Sequence, residues 1–123
     1  MQYDQLIALV AERAGLFKGD AIDLTRATLA TLADRIGGGA ARELAAHLPG
    51  PLQDALLPTT EEAEAFSFEE FINRVAERTR RKSIVSESAV AAVMATLRDA
   101  VRPGEFDDIL SQLPKDFHRL AER

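Results

Sequence analysis

Arg13, Asp34, Arg78 and Asp99 are the charged residues whose spacing says most about possible chemistry. Arg13 and Arg78 stand 65 positions apart, and so do Asp34 and Asp99. A guanidinium and a carboxylate form short, charge-assisted and often bidentate pairs. The spacing predicts one structural ion pair per half, Arg13 with Asp34 and Arg78 with Asp99, each fastening a first helix to a second. The alternative is that both pairs converge where the halves meet and bind an anionic or polar ligand. On the first reading Asp34→Ala and Asp99→Ala cost similar stability, up to about 3–5 kcal/mol for a buried pair.

The second candidate is basic. Arg78, Arg80, Arg81 and Lys82 lie together at the end of a predicted helix, where cations complement the macrodipole. The alternative is a phosphate or nucleic-acid contact. No aromatic residues interleave the run, and the net charge of -5 disfavours nucleic acid and anionic membrane surfaces. The positions equivalent to Arg80, Arg81 and Lys82 in the first half are Gly15, Leu16 and Phe17. Apolar bulk in such a loop is expected to tuck into the core, with a partner or dimer contact as the alternative. Leu16, Phe17, Arg78, Arg80, Arg81 and Lys82 are therefore the candidate interaction residues.

Other chemistry finds no constellation. Glu61, Glu62, Glu64, Glu69 and Glu70 are dense but lack calcium-loop spacing, and acid-rich linkers and helix starts are normally solvated. His47 and His118 show no spacing that puts two ligands on one helix face, and read as surface or cap histidines. There is no cysteine, no Gly-x-Ser-x-Gly and no Ser-x-x-Lys. Gly37-Gly38-Gly39 follows a helix and has no Lys-Ser/Thr after it, so it reads as a helix terminator and not a phosphate loop. No catalytic, metal-ligating or cofactor-binding residue is assigned. Thr31 and Thr96 sit mid-helix, where a hydroxyl bonds to a carbonyl one turn earlier.

The elements that must hold these residues repeat. Residues 1–58 lie on 66–123 without a gap, with 13 identities in 58 pairs, where the composition gives roughly five by chance. Asp4–Ala14 reads as a first helix, stopped by Gly15. Asp20 caps a second that runs to Ile36. Ala40–His47 is a short third, and 51–57 a fourth with Pro51 in its first turn. An acidic linker, 59–65, joins the halves. Ser67 with Glu70 makes a capping box, and Phe66 with Phe71 occupies the staple positions. That helix ends near Arg80. Ser86 caps the next, which ends near Val101, and Glu105–Gln112 follows. No segment reads as a strand. The expectation is an all-α fold of seven or eight helices. They form two pseudo-symmetric bundles, 1–58 and 66–123, that share one core in a single domain. A unit of 58 residues buries only about 60% of its unfolded surface, so neither half is expected to suffice alone.

The Ala-Thr-Leu runs before Asp34 and Asp99, the Leu48-Pro49 and Leu113-Pro114 pairs, and Arg74-Val75-Ala76-Glu77-Arg78 together resemble the bacterial family Domain of Unknown Function 2267. The resemblance spans nearly the whole chain. It implies the duplicated helical layout and carries no functional residue across. The N-terminus has no signal-peptide pattern and no segment nears the roughly 20 apolar residues of a membrane span, so a cytoplasmic protein without a membrane role is expected. The functional expectation is a non-enzymatic interaction or adaptor module, with a protein partner or a second copy. The alternative is a small-molecule or sensory domain with a pocket between the halves.

Overall fold

A computed structural model describes residues 1–57, 61–111 and 113. They hold six α-helices, two 3-10 turns and no strand. The helices are α1 (Tyr3–Ala14), α2 (Lys18–Ala46), α3 (Gly50–Gln53), α4 (Phe68–Arg78), α5 (Glu87–Ala100) and α6 (Pro103–Ser111). The 3-10 turns are Asp54–Leu56 and Lys82–Ile84. Gln112 and residues 114–123, with the expected His118, lie outside the described residues.

Helical periodicity explains α1: Leu6, Ile7 and Val10 share one face and are buried. Gly15 ends it at φ 68°, and its N–H donates to the Ala11 carbonyl. The next helix starts earlier than expected. Its N-cap is Phe17, which offers no capping oxygen, and Asp20 lies within the first turn, where its charge meets the positive end of the dipole.

The glycine run breaks α2 at one residue. Gly37 has φ 81° and ψ 173°, a region open essentially to glycine alone. Gly38 resumes the helix, so the expected third helix is the far arm of a kinked α2. In an unbroken helix the Gly38 N–H would donate to the Asp34 carbonyl. Here both groups turn to the linker: Gly38 N donates to Glu61 O at 3.0 Å, and Glu64 N donates to Asp34 O at 2.9 Å. The linker thus satisfies the two backbone groups that the kink releases. Arg42 clamps it with a bidentate pair to Glu61 at 2.7 and 2.9 Å. These acids are exposed as expected, yet they are paired.

The second half starts as its sequence suggests. Ser67 Oγ accepts from Glu70 N at 3.1 Å, and the rings of Phe66 and Phe71 lie 6.3 Å apart. The Glu70 carboxylate, the other partner of the expected capping box, accepts instead from Arg74 Nε at 2.9 Å. Ser86 Oγ accepts from Ala89 N at 3.0 Å and so caps α5. Pro103 opens α6, two residues before the expected start.

Packing crosses the midpoint of the chain. Helix α1 lies against α5 as well as α2, and α4 lies chiefly on α2. One buried apolar cluster therefore runs through both halves, from Leu6 and Leu24 to Phe71, Met94 and Phe106. Leu16 is half-buried against it, as expected, but Phe17 is 86% exposed. At the first residue before α2, Phe17 sits beyond the end of the core-facing stripe.

Two core residues carry a testable oddity. Thr25 and Thr28 are fully buried, and their hydroxyls have no hydrogen-bond partner among the described residues. Their counterparts 65 residues on are Val90 and Val93, also fully buried. A buried hydroxyl without a partner costs about 1–3 kcal/mol. Thr25→Val and Thr28→Val are therefore expected to raise stability by about 1 kcal/mol each. Urea unfolding measures this, and a loss of stability in both variants would refute it.

Candidate functional site

The charged residues singled out from spacing do pair, but across the halves. Arg13 Nη2 donates to Asp99 at 2.7 Å, and its Nη1 donates to Thr96 Oγ1 at 3.1 Å. Arg78 makes the matching set: one nitrogen meets Asp34 Oδ2, and Nη1 donates to Thr31 Oγ1 at 2.8 Å. The expected pairs Arg13–Asp34 and Arg78–Asp99 are therefore corrected to Arg13–Asp99 and Arg78–Asp34. The reason is the crossed packing, since α1 faces α5 and α4 faces α2. Each threonine hydroxyl also donates to the carbonyl four residues back, Thr31 to Ala27 O and Thr96 to Ala92 O, so each serves its arginine as an acceptor.

The two clusters differ in depth. Asp34 is 6% exposed and Asp99 41%. Arg74 deepens the first: it lies 3.9 Å from Asp34, bonds Glu64 and Glu70, and stacks on the Phe66 ring at 3.9 Å from its centroid. The residue equivalent to Arg74 in the first half is Leu9, so this network belongs to one half alone.

Each cluster borders an open groove. The first has a volume of about 860 Å³. Its floor is α2, through Gly19, Ile22, Asp23, Arg26, Ala27 and Ala30; Asp54, Ala55 and Leu57 form one wall, and Arg78 and Arg80 of the second half form another. Arg26 spans floor and wall, with a bidentate pair to Asp54 at 2.8 and 3.2 Å and a bond to Pro51 O at 2.9 Å. The hydrogen bonds between Arg26 and Asp54, with the opposite charges behind them, hold the Asp54 carboxyl below its usual range and the Arg26 guanidinium above its own. Arg42 depresses Glu61 in the same way at the linker clamp. Burial alone lowers Arg35, whose Nε donates to Phe66 O at 3.2 Å.

The second groove, about 420 Å³, is lined by Arg13, Ser88, Ala91, Ala92, Ala95 and Arg98. The offset of 65 relates the two linings: Asp23 to Ser88, Arg26 to Ala91, Ala27 to Ala92, Ala30 to Ala95, and Arg78 to Arg13. They occupy equivalent places with different chemistry. One is a field of alternating charge, and the other has a small apolar floor between two cations.

The basic run is distributed by this geometry. Arg78 serves Asp34; the Arg80 backbone N–H donates to Asp23 at 2.8 Å; Arg81 pairs with Asp20 at 3.1 Å; Lys82 opens a 3-10 turn and is exposed. The run is spread along the first groove, against acids of α2, and does not form a free phosphate cradle. The Arg80 side chain makes no bond among the described residues. Leu16 and Phe17 do not line either groove. His47 follows α2 and lies 3.8 Å from Glu105.

Sequence reading missed Asp20, Asp23, Arg26, Asp54 and Leu57 as groove residues. One signal pointed there: Ala27 and Ala30 recur as Ala92 and Ala95, and small residues one turn apart leave a hollow on a helix face.

These features define an all-helical protein whose halves interlock and leave a groove at each junction. The chain belongs to the DUF2267 family, described as an uncharacterized conserved protein, whose model matches residues 3–120. Among curated proteins, none matches the chain. No helix among the described residues is long and apolar enough to cross a membrane.

Proposed function

We propose that the protein is a non-enzymatic, cytoplasmic interaction module that seats a polypeptide partner in the first groove. The observation that carries this reading is Leu57. It is 71% exposed on one wall of the groove, and another wall carries Arg80, whose side chain makes no bond among the described residues. An exposed leucine flanked by alternating charge matches the mixture of apolar anchor and polar rim found at protein interfaces. The partner this fits carries an apolar side chain to cover Leu57 and a carboxylate for Arg80.

Leu57→Glu and Arg80→Glu test this in affinity capture from host lysate, with the melting temperature measured alongside. Both positions are exposed, so stability is expected to change by no more than about 0.5 kcal/mol. A stoichiometric partner held by the unaltered chain is expected to be lost from both variants. A partner held equally by all three chains, or no partner, contradicts the proposal.

The second groove supports a second reading, a small-molecule site. Its floor of Ala91, Ala92 and Ala95 suits an apolar body. A metabolite that raises the melting temperature of the unaltered chain and not of Ala92→Trp would favour it.

A further inference from the structure

We propose that the occupant of the first groove is an acidic amphipathic α-helix of about three turns, laid along α2. This rests on reading the groove as the seat of a polypeptide. The floor sets the shape. Gly19, Ile22, Asp23, Arg26, Ala27 and Ala30 recur at the three- and four-residue spacing of one helix face, and only Ala27 among them is buried. From Gly19 to Ala30 this face is about 16 Å long, the rise of three helical turns. Its small residues, Gly19, Ala27 and Ala30, let a second helix axis come close. Ile22 on the floor and Leu57 on the wall supply apolar surface for that helix to cover. The other common ways of holding a peptide lack their parts. There is no strand among the described residues, so there is no sheet edge to extend. No aromatic residue stands in the described lining to pack against an extended, proline-rich segment.

Charge sets the sign. Every acid of the described lining is engaged: Asp20 by Arg81, Asp23 by the Arg80 backbone N–H, and Asp54 by Arg26. Two of the lining cations are engaged as well, Arg26 by Asp54 and Arg78 by Asp34. The Arg80 guanidinium makes no bond among the described residues, nor does the exposed Lys82 ammonium two residues on. The unmatched charge on this wall is therefore positive, in a chain whose net charge is -5. A partner complements it with carboxylates. The seated helix thus carries its acids on the flank that faces Arg80, and its apolar residues toward α2 and Leu57.

A displayed library of random peptides of about 16 residues, selected on the full-length chain, tests this. Clones that also bind Leu57→Glu are removed, and the melting temperatures of Leu57→Glu and Arg80→Glu are measured. Should Leu57→Glu not fold, Leu57→Ser serves in the same selection. The expected peptides carry apolar residues at helical spacing, with Asp or Glu along one flank. Proline placed in the middle of such a peptide is expected to weaken binding about a hundredfold, and Arg80→Glu about tenfold. Changing the peptide's flanking acids to lysine is expected to restore its affinity for Arg80→Glu.

Peptides that need Leu57 but tolerate the proline, or that carry basic flanks, overturn the acidic helix and leave the polypeptide seat standing. If no clone separates the unaltered chain from the Leu57 variant, the seat and the helix both fall.

Discussion

Gly37→Ala is expected to lower stability by about 3 kcal/mol, and the melting temperature by roughly 10 °C. Two effects combine. Gly37 has φ 81° and ψ 173°, where a side chain costs about 1–3 kcal/mol of backbone strain. Its Cβ would also stand 2.9 Å from Ala63 N and 3.0 Å from Glu61 O, backbone atoms that cannot swing aside. Relief would push the linker off α2 and break the bonds from Gly38 to Glu61 and from Glu64 to Asp34. Gly39 is the control. Nothing lies within 4 Å of a Cβ there, and its φ is ordinary, so Gly39→Ala is expected to gain up to about 1 kcal/mol from helix propensity. Thermal and urea unfolding read both variants, and equal effects at the two positions would refute the account of the kink.

Asp34→Ala is expected to cost about 2–3 kcal/mol, against about 0.5 kcal/mol for Asp99→Ala. Asp34 is 6% exposed and faces Arg78 and Arg74, which lose a shared counter-charge when it goes. The figure stays below that of a fully buried pair because Arg78 keeps 34% of its side chain in water. Arg13 and Asp99 keep 36% and 41% of their side chains exposed, so their bond adds little. The equality expected from sequence spacing is thus replaced by a several-fold difference. Equal losses at the two positions, measured by urea unfolding, would refute the assignment of Asp34 as the buried hub.

These two cases show how far the sequence could be read. The offset of 65 found the residues that act together, because Arg13, Thr31 and Asp34 and their counterparts Arg78, Thr96 and Asp99 are the ones that bond. It could not say who bonds whom. When matching residues recur 65 positions apart, a contact within a half and the same contact between halves leave one identical pattern of residues. The direction was set by packing, where α4 sits on α2, and no local motif encodes that choice. The Ser67 cap and the stop at Gly15 were legible because both depend on a few adjacent residues. The glycine run announced a break in α2 but not its position. Of the three, only Gly37 has a positive φ, and the linker that packs there and on Gly38 comes from residues more than twenty positions away.

The grooves were harder to see. They are hollows between elements distant in sequence, and their charged lining, Arg26 with Asp54, looks like ordinary helix surface when read along the chain. Phe17 failed for the opposite reason. Its apolar character suggested burial, yet it precedes the first turn of α2 and has no core beneath it, at 86% exposure.

The central claim is that each first helix is fastened to the second helix of the opposite half. Double-mutant cycles on alanine variants of Arg13, Asp34, Arg78 and Asp99 test it most directly. The crossed packing predicts a coupling of about 1–3 kcal/mol for Asp34 with Arg78 and a smaller one, about 0.5 kcal/mol, for Arg13 with Asp99. Arg13 with Asp34, and Arg78 with Asp99, are expected to be additive within about 0.3–0.5 kcal/mol. Coupling within the halves and additivity across them would contradict the account.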